Sequence, residues 1–373
     1  MKRASGIYAT LGNTTYFIPD PLPPRNPHFK MTKSVTSLHE AALKSLKKLN
    51  AISAKLPDMQ RFVRGYVMKE ALLSSEIEGI HTTLLDVFTQ SIEPNPKKIS
   101  KNARLVLNYT DALMATVTLL QEKDLPISTR VLLHAHDVLM GSESQANPGK
   151  FRRQAVRVGS LVPPPADKIP SLMHDLEEYI NAHDAIPPLI QAGLVHVQFE
   201  TIHPFLDGNG RVGRLLIVLM LLDKKLLSLP ILYPSLYFKS NRFAYYHWLD
   251  SVRTQGNFEG WITFYLKAIK AASNDACKRI EKIEKLIKKL KNNKTLRAAL
   301  NKLNSNLTPD DVINQFIAHP VLSIDILAKG LERAPEIATE IITSCEKLKI
   351  LTKNPGNGKK LWQFKFYVDI INQ

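Results

Sequence analysis

The sequence of 373 residues has few cysteines and no long apolar run. Its two cysteines, Cys277 and Cys345, are too few for a disulfide framework, which indicates packing residues in a reducing compartment. No stretch approaches the roughly 18 uncharged apolar residues of a membrane-spanning helix, and the N-terminal MKRASGIYATLGNTTYF lacks the apolar centre of a signal peptide. Because 44% of the residues are hydrophobic, we expect a soluble, cytoplasmic, globular protein of two or three domains.

Acidic residues are also scarce relative to basic ones, which leaves a formal net charge of +16. Such an excess is typical of proteins that meet nucleic acid, an acidic membrane surface or a polyanionic substrate. Ten basic and two acidic residues fall between Lys278 and Lys302, so half of the excess lies in one segment. We interpret this segment as a long helix with a solvated basic face that leads away from the core.

The stretch His203-Pro-Phe-Leu-Asp-Gly-Asn-Gly-Arg-Val-Gly-Arg214 combines an imidazole, a carboxylate, glycines and two arginines. Gly208 and Gly210 let the backbone approach a ligand without obstruction by a Cβ atom. The apolar run 215–222 predicts a buried helix that begins just after these glycines, and the unpaired N–H groups of a helix N-terminus attract anions. The two arginines, three residues apart, add charge on one helix face. The pattern therefore predicts a phosphate-binding site.

Three other interpretations of this stretch remain open. Residues 208–213 match the dinucleotide fingerprint GxGxxG, but the preceding residues look helical and no suitable acid follows at the required distance. A metal hydrolase would use four potential ligands at near-helical spacing, namely His196, Glu200, His203 and Asp207. The glycines and arginines would then have no role. A helix-ending glycine beside solvated arginines explains each residue separately, but not their coincidence.

At every fixed position the stretch resembles the signature HxFx[D/E]GNGRxxR of the Fic proteins, most of which transfer AMP from ATP to a hydroxyl side chain of a target protein. The resemblance implies that His203 is the general base and that Asp207 binds Mg²⁺. It also implies that the motif and a Tyr-Tyr pair downstream bind the nucleotide. These ATP-binding candidates are Asp207, Gly208, Asn209, Gly210, Arg211, Val212, Gly213, Arg214, Tyr245 and Tyr246.

The reaction implied by the resemblance assigns these residues to parts of the triphosphate. Asn209 and the backbone of the two flanking glycines would form an anion hole, while Arg211 and Arg214 would hold the outer phosphates. Attack would fall on the α-phosphate, leave AMP on the target and release pyrophosphate. Tyr245 and Tyr246 could stack on the base, although aromatic residues at this spacing more often belong to a core.

A second motif lies upstream, at Ser74-Ser-Glu-Ile-Glu78-Gly79. The pattern alone indicates a helix that ends at a C-cap glycine, and its two acids oppose the helix dipole unless Glu76 or Glu78 meets a cation. The motif matches the pattern [S/T]xxxE[G/N] of the inhibitory helix in many Fic proteins. The resemblance implies that Glu78 pairs with Arg214 and inhibits transfer.

Residues 149–162 contain the clearest strand pair of an otherwise helical sequence. Val156 and Val158 alternate with polar residues, Gly159-Ser160 supplies a turn, and three prolines follow. The exposed edge of such a hairpin could accept a peptide as an added strand. The segment resembles the flap that positions the target in Fic proteins. Upstream, five prolines between positions 19 and 27 exclude a helix in residues 1–35 and predict an extended arm.

The last 70 or so residues resemble a winged helix, with a short helix around Leu327, a second helix over 335–348 and an Asn/Gly-turn hairpin over 350–364. That fold reads DNA with its second helix in many proteins, and it also serves in protein contacts. We expect a mainly α protein with a Fic-type helical core, a β-hairpin flap and a C-terminal winged-helix (α+β) domain. The predicted divisions are an N-terminal arm and helical region with the inhibitory helix at 1–95, a catalytic core at 96–275, a basic linker helix at 276–302 and a winged-helix-like domain at 303–373.

Together these features predict a protein adenylyltransferase with ATP as its substrate, Mg²⁺ as its metal and Glu78 as its inhibitor. Its partners would be a hydroxyl-bearing target protein at the flap, DNA or protein at the C-terminal domain, and a second copy in a homodimer. Two alternatives remain open. The same fold could remove AMP from a modified target, with Glu78 positioning water, or the chain could be a DNA-binding regulator that senses a nucleotide.

Overall fold

A computed structural model of the chain describes residues 3–54, 59–183, 185–303, 306–354 and 360–373. Within these ranges it forms sixteen α-helices and five short strands, which confirms the mainly α fold. The helices are α1 (Lys33–Ser53), α2 (Met59–Ile77), α3 (Leu84–Gln90), α4 (Lys101–Gln121), α5 (Thr129–Met140), α6 (Ile169–Asn181), α7 (Pro188–Ile202), α8 (Asn209–Asp223), α9 (Ser235–Ser240), α10 (Arg242–Gln255), α11 (Phe258–Lys291), α12 (Lys294–Asn301), α13 (Pro309–Ala318), α14 (Ile324–Leu331), α15 (Pro335–Lys347) and α16 (Lys365–Asn372). The strands are β1 (Gly6–Leu11), β2 (Thr14–Pro19), β3 (Val321–Leu322), β4 (Thr352–Asn354) and β5 (Leu361–Gln363). None of the described helices is both long enough and apolar enough to cross a membrane.

Helices α7 and α8 form the centre of the core. Both are buried around almost their whole circumference, as expected for helices whose sequences are apolar on every face. Gly193 of α7 permits a close approach of α11, because a Cβ atom there would lie only 2.7 Å from the ring of Tyr265. Trp261 of α11 donates a hydrogen bond of 2.7 Å to the Gly193 carbonyl. The segment 203–208 is therefore a short connection between two helices that the core holds in place.

Helix α11 contains the basic segment, and the expectation that this segment leads away from the core was wrong. Ile280, Ile283, Ile287 and Leu290 form a buried stripe along its second half, where it packs against α1 and α13. The lysines between 278 and 289 lie on the opposite, exposed face, as expected for a solvated surface. The helix ends at Lys291, with Asn292 as its C-cap, and α12 begins after its own N-cap, Asn293.

The described N-terminal residues, from position 3 onward, contain no helix before α1, as predicted, but residues 6–19 form a β-hairpin that the sequence interpretation missed. Strands β1 and β2 pair in an antiparallel register from Gly6↔Pro19 to Leu11↔Thr14. They join through Gly12-Asn13, where Gly12 has a φ of +58° that favours glycine. A two-residue Gly-Asn turn between β-branched and aromatic residues is a hairpin signal, so the element was predictable.

The predicted strand pair at 149–162 is largely absent, which corrects the sequence interpretation. The segment contains a single β-bridge, between Val158 and Leu161, around the predicted Gly159-Ser160 turn. The buried Arg152 explains the difference, because it donates hydrogen bonds to the carbonyls of Gln154 (3.0 Å) and Pro164 (2.6 Å). These bonds hold the backbone in an irregular path that cannot form a ladder.

The C-terminal residues follow the order α13, β3, α14, α15, β4, β5 and α16, and their three strands form an antiparallel sheet in the order β3-β5-β4. The predicted hairpin is present as β4 and β5, from Thr352↔Gln363 to Asn354↔Leu361. Its turn, at 355–359, lies outside the described residues. Helix α13 and strand β3 add to the two predicted helices and the hairpin. The winged-helix assignment itself stays a prediction.

The C-terminal helix α16 packs directly on α2 and α11. Tyr367 is fully buried and edge-on to Phe62 of α2, with ring centroids 6.4 Å apart. Arg279 of α11 donates a hydrogen bond of 2.6 Å to the Ile370 carbonyl, and Lys69 of α2 donates one to the Ile371 carbonyl. Because cations at a helix C-terminus interact favourably with its dipole, these two contacts dock α16 by charge as well as by apolar burial.

Two adjacent aromatic residues test whether α16 shares the core of α2. Tyr367→Ala removes a fully buried ring and should lower the free energy of unfolding by about 3–5 kcal/mol. Phe366→Ala, the matched control, removes a half-exposed ring and should change it by less than about 0.5 kcal/mol. Urea unfolding followed by circular dichroism measures both. Equal effects of the two substitutions would contradict the docking of α16.

Candidate active site

His203 follows the last residue of α7 and caps that helix in the left-handed conformation, with φ 51° and ψ 61°. Its backbone is fixed on both sides, since its N–H donates to the Phe199 carbonyl (2.9 Å) and its carbonyl accepts from Arg152 Nε (2.8 Å). Its ring Nδ1 lies 3.3 Å from the Glu200 carbonyl. This contact places the proton of a neutral imidazole on Nδ1 and leaves Nε2 as a free proton acceptor.

Burial sets the charge of His203. Loss of hydration is the main reason that the pKa of His203 falls to about 4; the hydrogen bond to the Glu200 carbonyl opposes this shift, and the smaller effect of the Arg152 charge adds to it. The imidazole is therefore neutral at pH 7. A neutral imidazole with one free nitrogen can accept a proton from a hydroxyl group.

The loop after His203 is shaped by Asn209, which corrects one predicted role. Its buried side chain accepts a hydrogen bond from Phe205 N (2.8 Å) and donates one to Phe205 O (2.9 Å). Both ends of the amide are therefore engaged, and the side chain is not free to form the predicted anion hole. The backbone N–H of Asn209 still lies in the first turn of α8, where N–H groups have no acceptor within the helix.

His136 of α5 supports the same loop, and sequence reasoning missed it. Its ring stacks on Phe205 with 3.7 Å between centroids, and its Nε2 lies 3.0 Å from the Asp207 carbonyl. Its Nδ1 accepts a hydrogen bond of 3.0 Å from Gly149 N. Burial lowers the pKa of His136 to about 4, which favours the neutral form that can accept on one nitrogen and donate from the other.

Gly208 is the N-cap of α8 and leaves an open helix N-terminus. Its φ of 82° favours glycine, and a Cβ atom would lie 3.0 Å from the Met140 sulfur. The adjacent Asp207 carboxylate is largely exposed, with Oδ1 2.5 Å from Gly208 N and 3.5 Å from Arg211 Nη2. The free N–H groups of the first turn and the helix dipole make this end suitable for an anion.

Arg211 is buried but poorly paired. Its Nη2 contacts the Met140 sulfur (3.3 Å) and Asp207 (3.5 Å), whereas its Nε and Nη1 have no hydrogen-bond partner among the described residues. Loss of hydration lowers the pKa of this guanidinium. A buried cation with two unpaired nitrogens is costly, so the site is suited to an anion that supplies the missing acceptors.

Arg214 is buried and fully engaged, and its predicted pairing with Glu78 is present. Its Nη2 lies 2.7 Å from Glu78 Oε1, and it also donates to the hydroxyl (2.8 Å) and the carbonyl (3.0 Å) of Ser74. Gly210 permits this contact, because a Cβ atom at that position would overlap Glu78 Oε1 and lie 2.9 Å from Arg214 Nη1. The absence of a Cβ atom at Gly210 is therefore required for the ion pair, and it also leaves the backbone accessible to a ligand.

The acidic end of α2 is stabilised by two cations, as its sequence required. Glu76 lies 2.6 Å from Lys239 of α9, and Glu78 meets Arg214. Gly79 follows with a φ of +81°, and its N–H donates to the Glu76 carbonyl (3.1 Å). These contacts compensate the unfavourable position of two carboxylates at a helix C-terminus.

Val212 and Gly213, both predicted to bind the nucleotide, belong to the core. Val212 is fully buried, and a Cβ atom on Gly213 would overlap the carboxylate of Glu200. The sequence pattern made Glu200 a potential metal ligand, but in the structure it is a buried acid. Its Oε1 is buried without a hydrogen-bond partner among the described residues, and burial raises the pKa of this carboxyl to about 7. Gly213 thus serves the packing of a buried acid.

The tyrosine pair divides between the core and the surface. Tyr245 is buried, and its hydroxyl lies 2.8 Å from Nε2 of His196, whose Nδ1 lies 2.9 Å from the Gly213 carbonyl. This engagement corrects the prediction that Tyr245 contacts the nucleotide, and it leaves no ring nitrogen of His196 for a metal. Tyr246 is 41% exposed, with the Arg242 guanidinium 5.7 Å from its ring centroid. Only Tyr246 of the pair can reach a ligand.

Two sequence models of one family match this chain. Residues 36–118 match the model described as Fic/DOC family N-terminal, which includes Glu78, and residues 126–221 match the model described as Fic/DOC family, which includes the motif at 203–214. The chain therefore contains both regions that the Fic/DOC family models describe. Its C-terminal residues lie beyond both matches.

Curated relatives of this chain include the Protein adenylyltransferase Fic of two fruit flies. The protein of Drosophila willistoni is 31% identical over 192 residues, which is 51% of this chain and 35% of that protein. The protein of Drosophila grimshawi is 28% identical over 239 residues, 62% of this chain and 48% of that protein. The chain thus spans about half or less of the length of these relatives.

Solved structures share the fold. A Fic family protein from Desulfovibrio desulfuricans superposes with a TM-score of 0.58 at 21% identity, over 90% of this chain and 97% of that one. Fic-1 from C. elegans superposes with a TM-score of 0.54 at 21% identity, over 66% of this chain and 74% of that one. The Fic-type fold predicted from the sequence is confirmed.

The protonation of His203 can be measured directly. We expect its imidazole to stay neutral down to about pH 5 and to titrate near pH 4, because burial disfavours the charged ring. Side-chain NMR of the nucleotide-free protein, with the resonance assigned by its loss in His203→Gln, reports this pKa. Glu78→Gln should lower it further, because the Glu78 charge raises the pKa of His203. A titration near pH 6.5 would refute the buried, neutral state.

Proposed function

We propose that the chain is a protein adenylyltransferase, which transfers AMP from ATP to a hydroxyl side chain of a target protein and of itself. The observation that carries the proposal is the coincidence of a neutral His203, an open helix N-terminus and a buried Arg211 with two nitrogens that lack a partner among the described residues. One group accepts a proton, and the other two bind phosphate. The name of the fruit-fly relatives supports the same reaction.

The reaction follows from these positions. His203 Nε2 takes the proton of the target hydroxyl as its oxygen attacks the α-phosphorus of ATP. The bond from that phosphorus to the bridging oxygen breaks, so AMP stays on the target and pyrophosphate leaves. The N–H groups of Asn209 and Gly210 stabilise charge on the phosphate oxygens, and Arg211 and Arg214 hold the outer phosphates. Tyr246 contacts the base.

Asp207 fits a magnesium ion that would accompany the triphosphate. Its carboxylate is exposed beside the helix N-terminus, and its second oxygen makes no hydrogen bond to a described residue. No group of three or more ligating side chains occurs in the described part of the chain, so phosphate oxygens and water would complete the shell, as Mg²⁺ prefers. The ion would supply positive charge to the phosphate oxygens.

Glu78 inhibits the transfer in this proposal. It occupies Arg214, which should hold the outer phosphate, and its carboxylate repels the triphosphate. ATP can still bind, but with its α-phosphate out of line for attack, and a misplacement of about 1 Å can cost on the order of 100-fold in rate. The reverse reaction, removal of AMP, would instead use Glu78 to position water. The test of Glu78 below separates the two directions.

The remaining partners are proposed from surface features. A hydroxyl-bearing target would dock near residues 149–162, and two copies would form a homodimer. Helix α15, which would enter DNA in a winged helix, carries Glu336, Glu340 and Glu346 against a single Lys347. Because phosphate contacts dominate DNA affinity, this acidic helix favours protein contact over DNA binding at the C-terminal domain.

The inhibitory role of Glu78 has a matched control two residues away. Glu78→Gly should raise incorporation of AMP from α-labelled ATP by roughly 10- to 100-fold, because it frees Arg214 for phosphate. Glu76→Gly removes the neighbouring carboxylate, which pairs with Lys239, and should leave incorporation unchanged. Unchanged labelling in Glu78→Gly would remove the inhibitory role. Loss of AMP removal from a pre-labelled target in that variant, without gain of transfer, would favour the reverse reaction.

The role of His203 is tested in the Glu78→Gly background. His203→Ala should abolish incorporation of labelled AMP while ATP affinity, measured by calorimetry, changes by less than about threefold, since the base acts on the target hydroxyl. Arg211→Met should weaken ATP binding itself by at least about tenfold, since charge-assisted bonds to phosphate are lost. Label persisting in the His203 variant would show that another group is the base.

A further inference from the structure

We propose that the exposed face of α11 binds the phosphate backbone of double-stranded DNA without reading its sequence. The face lies outside the candidate active site, so the proposal goes beyond the proposed function and does not depend on it. It starts from the composition of α11, whose exposed residues are all lysines, while the other residues of the helix are buried or half-buried. The seven lysines, called the lysine row below, are Lys267, Lys270, Lys278, Lys282, Lys285, Lys288 and Lys289.

The lysine row runs straight along one side of the helix. At about 3.6 residues per turn, its seven positions fall within about 120° of the helix circumference. At about 1.5 Å per residue, the distance along the axis from Lys267 to Lys289 is about 33 Å. One turn of B-form DNA is about 34–36 Å long. The row therefore has the length of one turn of a DNA duplex.

Packing on the opposite side of α11 holds the row in place. Ile280, Ile283 and Ile287 are buried, and this part of the helix packs against α1 and α13. The backbone below the lysines is thus fixed before any ligand arrives. Only the lysine side chains have to be ordered on binding, which lowers the entropic cost of association.

The positive charges of the row are not neutralised within the described part of the chain. Ion pairs with other cations engage three of the four acidic residues of α11, namely Glu259 with Arg3, Asp275 with Arg279 and Glu281 with Lys48. The fourth acid, Glu284, is half-buried. None of the seven lysines forms an ion pair with a residue in the described ranges. The row therefore presents seven positive charges against one unpaired carboxylate.

Helix α1 extends the positive surface to one side. It packs along α11, and the ion pair of Lys48 with Glu281 (3.3 Å) lies at the edge where the two helices meet. Lys44, one turn before Lys48, is exposed on this edge. The surface is thus wider than one helix, as contact with both sides of a DNA groove requires.

The uniform composition of the row favours a duplex over three other partners. Protein interfaces are depleted in lysine and enriched in aromatic residues, and a helix that lies on a membrane needs exposed apolar side chains. Single-stranded nucleic acid binds aromatic side chains that stack on its bases. Because α11 exposes neither aromatic nor apolar residues, none of these partners fits. Lysine is a point charge that contacts phosphate without reading base edges, so binding should not depend on sequence.

The experiment measures binding of the full chain to a fluorescently labelled DNA duplex of about 20 base pairs, or two turns, by fluorescence anisotropy. A straight row cannot follow a curved backbone over its whole length, so we expect contact with about five phosphates. The logarithm of the binding constant should then fall with the logarithm of salt concentration with a slope of about −4.5, or about 500-fold between 50 and 200 mM. A duplex of scrambled sequence should bind within about twofold.

Two variants with the same change in net charge locate the surface. The test variant combines Lys278→Gln, Lys285→Gln and Lys289→Gln. It should weaken binding by at least about tenfold at 100 mM salt and reduce the slope to about −2, since each lost phosphate contact removes about 0.9. The control variant changes three exposed lysines outside α11 and combines Lys97→Gln, Lys98→Gln and Lys123→Gln. It should bind within about twofold of the unmodified chain.

Binding at the active site and loss of folding are tested separately. Saturating ATP should not displace the duplex, because the lysine row is distinct from the start of α8. Circular dichroism and self-labelling by ATP should be unchanged in the test variant, so its loss of DNA binding cannot come from unfolding. Displacement of the duplex by ATP would place the DNA at the phosphate site and overturn the proposal.

Three further outcomes would overturn it. Equal weakening by the test and control variants would mean that binding follows net charge and has no fixed surface. Tighter binding of a matched RNA duplex, lost in the test variant, would assign the row to RNA. Binding to vesicles of phosphatidylserine and phosphatidylcholine that depends on the row, without binding to the DNA duplex, would assign it to a membrane surface. In all three cases the proposed transfer reaction would stand.

Discussion

The site depends on how one buried cation is satisfied. Arg214 is 1% exposed, one turn into α8, and a guanidinium in that position is costly unless hydrogen-bond acceptors surround it. Ser74 and Glu78 supply those acceptors over distances of 2.7–3.0 Å. Ser74 lies in the last turn of α2, and Glu78 directly follows that helix. Their bonds to Arg214 therefore fix α2 against α8. They thereby join the two parts of the chain that match the Fic/DOC models, at the motif 203–214.

The neighbouring arginine is in the opposite situation. Arg211 lies one turn earlier on α8 and is equally buried, yet two of its nitrogens have no partner among the described residues. The helix therefore presents one satisfied cation and one unsatisfied cation to the same space. In the proposed reaction a triphosphate supplies acceptors to Arg211 at once, whereas at Arg214 it must displace Glu78. This asymmetry separates binding of the nucleotide from its correct placement.

Sequence predicted the local parts of this site and missed the parts that tertiary packing creates. The glycine-flanked helix start and the acidic helix end follow from residue patterns, but the pairing of Glu78 with Arg214, 136 residues apart, came only from family resemblance. His136 carries no motif, because its role depends on a ring that stacks on Phe205. Asn209 was given a ligand role because nothing in its sequence context reveals that its amide already bonds the backbone. The hairpin β1–β2 was readable from its Gly-Asn turn and was overlooked among the prolines.

Helix α2 has one contact near its middle and another at its C-terminal end, and they concern different parts of the protein. Lys69 bonds the last turn of α16, and Glu78, nine residues later, bonds Arg214, a separation of roughly 14 Å along a continuous helix. A packed helix moves as a unit, so a shift that withdraws Glu78 also strains the contact at Lys69. Thermodynamic linkage makes this relation reciprocal. A molecule that binds the C-terminal residues and tightens or loosens them would change the free energy needed to withdraw Glu78. ATP would then change the binding free energy of that molecule by the same amount.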